Sequence, residues 1–171
     1  ITLIQPYEIT YQYTSQPTTC DESIDGAIYI KNIEGGTPPY KISVDNTTYD
    51  NYQITSLTKG SHKLVISDNN NCKTDSIIFI EGPSKLTINK FNIQPPNCNN
   101  ICNGSIEFNV SGGTYPYKYF INNNITNIPI YNVCHGTYHI SVIDNNNCKF
   151  DTIITINDKN NSPVSIIENI K

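Results

Sequence analysis

The sequence predicts an all-β chain of tandem antiparallel β-sandwich modules, and three observations lead to this fold class. One stretch occurs twice, as GGTPPYKISV at residues 35–44 and as GGTYPYKYFI at 112–121. A second stretch is echoed at nearly the same spacing, as GSHKLVISDNNNC at 60–72 and GTYHISVIDNNNC at 136–148. Each copy also contains short runs of strand character without helical periodicity. A fixed period of about 76 residues indicates two copies of one small module.

The predicted strands are short and closely spaced. We place the first module at residues 6–82 and the second at 83–160. The connections are too short for crossover helices, so the strands are expected to form an antiparallel sandwich of immunoglobulin-like type. A short edge strand within the polar stretch 45–53 would raise the strand number from six to seven. The predicted strands are 7–14, 27–33, 40–44, 54–57, 62–68 and 73–81 in the first module, and 86–93, 105–111, 117–121, 125–133, 137–144 and 151–157 in the second.

Both ends of the chain resemble parts of further modules. Residues 1–5, ITLIQ, are similar to SIIFIE and TIITIN, which are predicted to close the two modules. We therefore expect residues 1–5 to be the last strand of a preceding repeat. Pro163 stands where Pro83 opens the second module, so residues 161–171 are expected to start a following repeat or to form a C-terminal tail.

Composition and motifs argue against several function classes. The net charge is −4, with 11 basic residues that are all Lys, which argues against nucleic acid as a partner. No apolar run reaches the roughly 18 residues of a membrane span. His62, His135 and His139 do not recur at equivalent positions and fit no Ser/His/Asp pattern. No GxSxG, HExxH or P-loop motif occurs. The sequence therefore predicts a chain that is not an enzyme and needs no cofactor.

Two cysteine pairs occupy equivalent places in the two modules. Cys20 and Cys72 bracket most of the first module, as Cys98 and Cys148 bracket most of the second. A disulfide within each pair would close a loop of roughly 50 residues and stabilise its module by about 4 kcal/mol in the chain-entropy model. Modules of this size have marginal cores and profit from such staples. Disulfides also predict an oxidising compartment.

A third cysteine pair occurs in the second module alone. Cys102 and Cys134 have Ile24 and Thr58 as counterparts in the first module, so both cysteines are absent there together. Joint absence indicates that they are bonded to each other. A zinc site is the alternative, although zinc favours short paired knuckles and this spacing is wider.

Strand counting leaves these pairings partly open. With six strands per module, Cys98 and Cys148 lie at the same end of the sandwich, because successive strands reverse direction. Cys102 and Cys134 then lie at opposite ends. Both bonds fit only if a seventh strand exists or if residues 98–102 cross the end of the sandwich.

Four aspartates flank the Asn-rich hairpins and are weak candidates for calcium ligands. Asp68 and Asp75 flank the hairpin of the first module, and Asp144 and Asp151 flank that of the second. Calcium takes carboxylate and amide oxygens, but the dense D-x-D-x-D spacing of a dedicated calcium loop is absent. The alternative is that Asp and Asn cap the turns through hydrogen bonds to the backbone.

The assembled motifs resemble the SprB-type repeat, which is named for a surface adhesin of gliding bacteria. The second module carries C-x3-C-N-G-S at 98–105, G-G-T-x-P-Y at 112–117, V-C-H-G-T-Y at 133–138 and D-N-N-N-C at 144–148. The first module keeps the G-G-T turn and D-N-N-N-C but lacks the inner cysteine pair. Where family members often carry Trp after the P-Y pair, this chain has Val44 and Ile121.

The resemblance implies a secreted, multi-domain protein of the cell surface and implies no reaction. The leading hypothesis is a non-enzymatic segment of a long extracellular adhesin or filament, whose partners are neighbouring repeats or other copies in a polymer. One alternative is a structural component of an outer surface layer or virion fibre. Another is an accessory carbohydrate-binding module of a secreted hydrolase. Tyr40, Tyr117 and Tyr138 lie on predicted strands and are expected to pack in the core or at an edge, although an exposed cluster of tyrosines could bind surface glycans.

Overall fold

The chain folds into two compact units of β-strands. The computed structural model describes residues 7–97, 101–157 and 165–168, and these ranges contain no helix. The units are Ile1–Gly82 and Pro83–Lys171, which we call repeat one and repeat two. The predicted strand of a preceding repeat, residues 1–5, lies outside the described ranges.

Repeat one is a sandwich of two antiparallel sheets, with strand orders β1-β2-β5 and β4-β3-β6-β7. The fourth strand forms a hairpin with the third and so belongs to the larger sheet. This three-on-four arrangement is immunoglobulin-like, as the sequence predicts. Its strands are β1 (Thr10–Gln16), β2 (Gly26–Glu34), β3 (Lys41–Val44), β4 (Thr47–Tyr49), β5 (Gln53–Leu57), β6 (Gly60–Ser67) and β7 (Lys73–Ile80).

Repeat two has the same topology and one additional strand. Its sheets have the orders β12-β9-β8 and β11-β10-β13-β14-β15. The additional strand, β15, lies antiparallel to β14 at the edge of the larger sheet. The strands are β8 (Thr87–Gln94), β9 (Gly104–Ser111), β10 (Lys118–Ile121), β11 (Asn124–Thr126), β12 (Ile130–Val133), β13 (Gly136–Ile143), β14 (Lys149–Ile156) and β15 (Ser165–Glu168).

The single strand predicted at 125–133 is wrong, because the structure has two strands there. β11 pairs with β10 in the larger sheet, whereas β12 pairs with β9 in the smaller one. Pro129, which follows a cis peptide bond, lies just before β12 and has no N–H for a ladder. The chain therefore crosses between sheets at this point, and in the described residues each repeat has seven strands before β15 is counted.

Alternating apolar residues of the two sheets face each other in each core. On β6, Leu64 and Ile66 are fully buried, whereas Lys63 is exposed and the intervening Val65 is only partly buried, as expected for a strand with one buried face. Val44 of β3 is also buried. The largest fully buried side chains are Ile28, Ile54, Leu64, Ile66, Ile78 and Ile80 in repeat one, and Ile106, Ile140, Ile154 and Ile156 in repeat two.

Aromatic side chains contact one another in the core of repeat two. The ring centroids of Phe91 and Phe108 are 5.4 Å apart, and those of Phe108 and Tyr119 are 5.9 Å apart in an edge-on arrangement. Such pairs contribute about 0.5–1.5 kcal/mol beyond the area that they bury. In the part of the chain that the structure describes, no helix has the length and apolarity needed to cross a membrane.

Candidate functional site

The repeated G-G-T turn packs against the segment that leads into the first strand of its repeat. The Gly36 N–H donates to the Tyr7 carbonyl at 2.9 Å. A Cβ on Gly35 would lie 2.0 Å from the Glu8 carbonyl oxygen, and both glycines have positive φ angles. A side chain is therefore excluded at Gly35 by backbone contact as well as by conformation. The Tyr40 hydroxyl donates to the Gly35 carbonyl at 2.6 Å and closes the turn.

A buried aspartate joins this turn to the D-N-N-N-C hairpin of repeat one. Asp68 is 2% exposed, and its Oδ2 accepts the Thr37 N–H at 2.8 Å. Its Oδ1 accepts the N–H groups of Asn70 at 2.8 Å and Cys72 at 2.9 Å. The side chain of Asn70 also donates to the Thr37 hydroxyl at 3.0 Å. We call residues 35–40 together with 68–72 the Asp clamp of repeat one.

Repeat two builds the same clamp from residues 112–117 and 144–148. Asp144 is 3% exposed, and its Oδ2 accepts the Thr114 N–H at 2.7 Å. Its Oδ1 accepts the N–H groups of Asn146 and Cys148, both at 2.8 Å. The Asn146 side chain donates to the Thr114 hydroxyl at 3.1 Å. Every bond of the first clamp thus has its counterpart in the second.

The clamp accounts for the two buried calcium candidates. Both carboxylate oxygens of Asp68 and of Asp144 accept backbone N–H groups, as in the turn-capping alternative. Burial raises the pKa of Asp68, but N–H donation from Thr37, Cys72 and Asn70 outweighs it and holds that pKa below its usual value. The described residues contain no group of three or more side chains suited to a metal ion.

The other two calcium candidates lie on strands and form ion pairs. Asp75 on β7 is paired with Lys63 at 3.1 Å. Asp151 on β14 contacts Lys149 at 2.9 Å and His139 at 3.1 Å, and it accepts the Ser141 hydroxyl at 2.6 Å. Burial raises the pKa of Asp151, while the Ser141 and Lys149 contacts lower it further than burial raises it.

The arrangement around Asp151 is not a nucleophilic triad. Ser141 and His139 both contact the same carboxylate oxygen of Asp151. A triad needs the histidine between the serine and the carboxylate, so that it can take the serine proton. Ser141 is also buried and holds its hydroxyl against Asp151.

The inner cysteine pair is joined in the structure. Cys102 and Cys134 form a disulfide with a Cα–Cα distance of 4.0 Å. Cys102 lies two residues before Gly104, which is paired with Val133 next to Cys134. The seventh strand brings them together, because four strands rather than three separate the two cysteines.

The predicted Cys20–Cys72 disulfide requires correction, since Cys72 is an exposed free thiol. Thr18 near Cys20 donates to the Glu81 carbonyl, after the last residue of β7, whereas Cys72 lies before the first residue of β7. The two cysteines are thus at opposite ends of a strand of eight residues. At about 3.3 Å per residue this separation is roughly 25 Å, and a disulfide needs Cα atoms within about 7 Å.

Of the outer cysteine pair of repeat two, only Cys148 lies in the described residues. Cys148 lies in the clamp hairpin, and both Cys148 and Cys20 are disulfide-bonded. Cys98 lies outside the described ranges, so the Cys98–Cys148 pairing stays a prediction.

A second polar contact, missed at the sequence level, holds the turn before β6 and before β13. The Tyr138 hydroxyl accepts the Cys134 N–H and donates to the Cys134 carbonyl, both at 3.0 Å. This resembles the tyrosine corner of immunoglobulin-like domains, in which a Tyr hydroxyl bonds the backbone a few residues upstream. In repeat one the counterpart is His62, whose Nε2 lies 2.8 Å from the Thr58 carbonyl. The G-T-Y motif after Cys134 was the available signal.

Residues 91–126 match the family model of the SprB repeat. The match runs from β8 through the G-G-T turn to the end of β11, which confirms the resemblance within repeat two. No curated protein matches the chain at a significant level.

Two solved structures are similar to the chain over most of its length. One is a C-terminal 282-residue fragment of intimin in complex with the intimin-binding domain of the translocated intimin receptor. It has 18% identity and a TM-score of 0.43, and the alignment covers 88% of this chain and 64% of that chain, less than two thirds of it. The other is the central fibronectin-III array of RIM-binding protein, with 12% identity, a TM-score of 0.26, and coverage of 95% and 88%. The immunoglobulin-like fold of each repeat follows from its strand order.

Proposed function

We propose that this chain is a non-enzymatic segment of a long extracellular or cell-surface protein, an adhesin or filament, in which it acts as a disulfide-stapled stalk and interaction module. The observation that carries the proposal is the duplication of the Asp clamp. In both repeats an equivalent buried carboxylate accepts hydrogen bonds from equivalent backbone N–H groups, so the repeats are copies of one structural unit. Copies of one unit in series suit a protein that spans distance.

The buried polar groups support a structural rather than a catalytic role. Asp68 and Asp144 are occupied by backbone donors, and His62 bridges Thr58 and Asp45. Ser141 is held by Asp151. Each of these groups is hydrogen-bonded within its own repeat and is therefore not positioned to contact a substrate.

The extracellular placement draws on the disulfide and on the family match. A Cys102–Cys134 bond persists in oxidising surroundings and is rarely kept in a reducing cytosol. The SprB-type match points to proteins of the cell surface, and the partners proposed are neighbouring repeats of the same protein or other copies in a polymer.

The test is surface labelling of the organism that produces the chain. Antibodies raised against residues 1–171 should label intact cells, and external protease should remove the label. A cytosolic protein serves as the control for cell integrity. Labelling that requires permeabilised cells would refute the proposal, as would turnover of a glycan, peptide or phosphoester substrate by the purified chain.

Binding of surface glycans is a second candidate, favoured by one exposed aromatic pair. Tyr115 is 78% exposed, and its ring stands edge-on to Tyr117 with centroids 5.8 Å apart. A sugar ring can stack on such an exposed face. A glycan array probed with the wild-type chain and with Tyr115→Ala tests this: a hit that the variant loses supports it, and an array without hits rejects it.

A further inference from the structure

The outer edge of β7 in repeat one resembles an edge that is occupied in repeat two. Among the described residues β7 is the last strand of its sheet, with β6 as its neighbour. Ile77 is 63% exposed and Phe79 is 51% exposed on the outer face of this strand. A sheet edge with unpaired backbone groups and exposed apolar side chains is a template for pairing with another strand.

The equivalent edge, that of β14, carries β15. Residues 152–155 pair antiparallel with 168–165, so that Ile153 lies opposite position 167. Ile153 is only partly exposed, whereas its counterpart Ile77 is largely exposed. Both edge strands have Lys at the first position, Asp at the third and Ile at the fifth, sixth and eighth. The two edges therefore offer the same backbone and nearly the same surface.

We propose that β7 of repeat one is a strand-accepting site, and that its occupant is segment 165–168 of a second copy of this chain. The inference rests on the proposed array function and names the contact by which copies join. By equivalence with β14, position 167 of the incoming strand pairs with Ile77, and position 165 pairs with Phe79. The pairing is β-strand addition, in which main-chain hydrogen bonds supply the contact.

The exchange is favoured by the side chains that the accepting edge presents. Where β14 carries Thr155, β7 carries Phe79, so a strand on β7 covers more apolar surface than the same strand on β14. Segment 165–168 would form the same number of backbone hydrogen bonds on either edge, because the register is the same. The difference in covered apolar surface therefore favours β7 once a second copy is near.

The predicted contact joins different surfaces of the two copies. Repeat one of one copy accepts a segment that follows repeat two of the next, which makes the interface heterologous. A heterologous interface that does not close into a ring extends into an open filament. The exchange thus predicts end-to-end growth with one contact per added copy.

The experiment uses two full-length chains, each with Cys72→Ser to remove the free thiol next to β7. One carries Ile77→Cys and the other, labelled with ¹⁵N, carries Ile167→Cys. They are mixed, treated with a short thiol-specific cross-linker and mapped by mass spectrometry. We expect an interchain link between positions 77 and 167, since facing residues on paired strands have Cβ atoms about 5 Å apart. The matched control replaces Ile77→Cys with Thr48→Cys, on β4 at the opposite edge of the same sheet.

Interchain linking no greater than in the Thr48→Cys control overturns the proposal. Two further chains test occupation of the edge by the same chain: one carries Ile77→Cys with Ile167→Cys, and the other carries Ile77→Cys with Leu3→Cys. An intrachain link in either of them overturns the proposal, because another segment of the same chain then occupies the edge. Sedimentation velocity provides an independent readout: Ile77→Lys with Phe79→Lys should abolish association, and Thr48→Lys should leave it unchanged. Loss of strand exchange with surface labelling intact rejects this contact alone, whereas absence of surface labelling rejects the function on which it rests.

Discussion

The two repeats hold the same turn, which precedes β6 in one and β13 in the other, by different chemistry. In repeat two the turn is held by Tyr138, whose neutral hydroxyl bonds the Cys134 backbone, and by the disulfide to Cys102. In repeat one His62 is 6% exposed and takes the place of the tyrosine, with Asp45 2.6 Å from its Nδ1. A covalent bond and a neutral hydroxyl in one repeat thus replace a buried imidazole and a carboxylate in the other.

At two further places, repeat one has a carboxylate where repeat two has an amide. Asp45 accepts the Lys63 N–H at 2.8 Å, and at the equivalent position Asn122 accepts the His139 N–H at 2.9 Å. In the connector after β1, Asp25 accepts the Thr19 N–H at 3.0 Å. Its counterpart in repeat two is Asn103, which accepts the Asn97 N–H at 3.0 Å.

The comparison teaches that the backbone bond is fixed while the charge of its acceptor varies. An amide oxygen and a carboxylate oxygen accept the same N–H, so the fold tolerates either. Only the carboxylate makes stability depend on pH. Among the described residues, the carboxylates of lowered pKa are Asp25, Asp45 and Asp68 in repeat one and Asp151 in repeat two. Repeat one is therefore expected to be the more sensitive to acid, and repeat two is expected to be sensitive to reducing agents at its Cys102–Cys134 disulfide.

Removing the staple of repeat two should have the largest effect. Cys102→Ser with Cys134→Ser opens a loop between residues 32 apart in sequence. The chain-entropy model gives a loss of about 3–4 kcal/mol, comparable to much of the stability of a small domain. Hydrogen exchange followed by mass spectrometry on the full chain should show faster exchange in β9 and β13.

Repeat one is the internal control for this change, because its counterparts Ile24 and Thr58 form no disulfide. Exchange in β2 and β6 should stay as in the wild type. Equal acceleration in both repeats would contradict the assignment of the staple to repeat two.

The repeats and the immunoglobulin-like fold could be predicted, but the absence of a Cys20–Cys72 disulfide could not. Isoleucine alternation and the G-G-T turns were visible as periods and punctuation in the sequence. The end of the sandwich at which Cys72 lies depends on β4, a strand of three residues, TTY, with no apolar alternation. Because successive strands reverse direction, one additional strand moves every later connection to the other end of the sandwich. The Asp clamp was not predictable in detail, since its donors are backbone N–H groups that any residue supplies.

Breaking the Asp clamp should have the next largest effect. Asp144→Ala removes the acceptor for the N–H groups of Thr114, Asn146 and Cys148. Leaving such buried groups without a partner should destabilise repeat two by about 3 kcal/mol. Urea unfolding with exchange readout would measure it. The matched change Asp68→Ala should destabilise repeat one and leave repeat two unaffected. If either change destabilised the other repeat and not its own, the result would contradict the duplicated clamp.

Acid should produce a smaller difference in stability between the two repeats. Hydrogen bonds from the side chains of Ser23 and then Thr19 lower the pKa of Asp25 to about 2. The hydrogen bond with His62, helped by the Lys63 N–H, lowers the pKa of Asp45. A lowered folded-state pKa contributes stability that is present above the unfolded value of 3.8 and is lost as pH falls through the folded value. Repeat one should therefore lose stability between about pH 4 and pH 2.

The acid prediction is checked by hydrogen exchange at several pH values after correction for intrinsic rates. Asp25→Asn with Asp45→Asn copies the amides of repeat two and should reduce the pH dependence of repeat one to the part that Asp68 contributes. A chain whose two repeats lose protection in parallel between pH 4 and pH 2, with no change in the double variant, would contradict the role of these carboxylates.

The smallest effect is expected from the hydroxyl that holds the turn of repeat two. Tyr138→Phe keeps the ring and removes both bonds to Cys134, which should cost about 1–2 kcal/mol because a partly buried N–H and carbonyl lose their partner. The disulfide holds the same turn, so the loss should grow when Cys102→Ser and Cys134→Ser are combined with Tyr138→Phe. A double-mutant cycle measured by urea unfolding gives this coupling. Strict additivity would mean that hydroxyl and disulfide act on separate parts of the repeat, whereas coupling means that Tyr138 does in a neutral form what His62 does with Asp45.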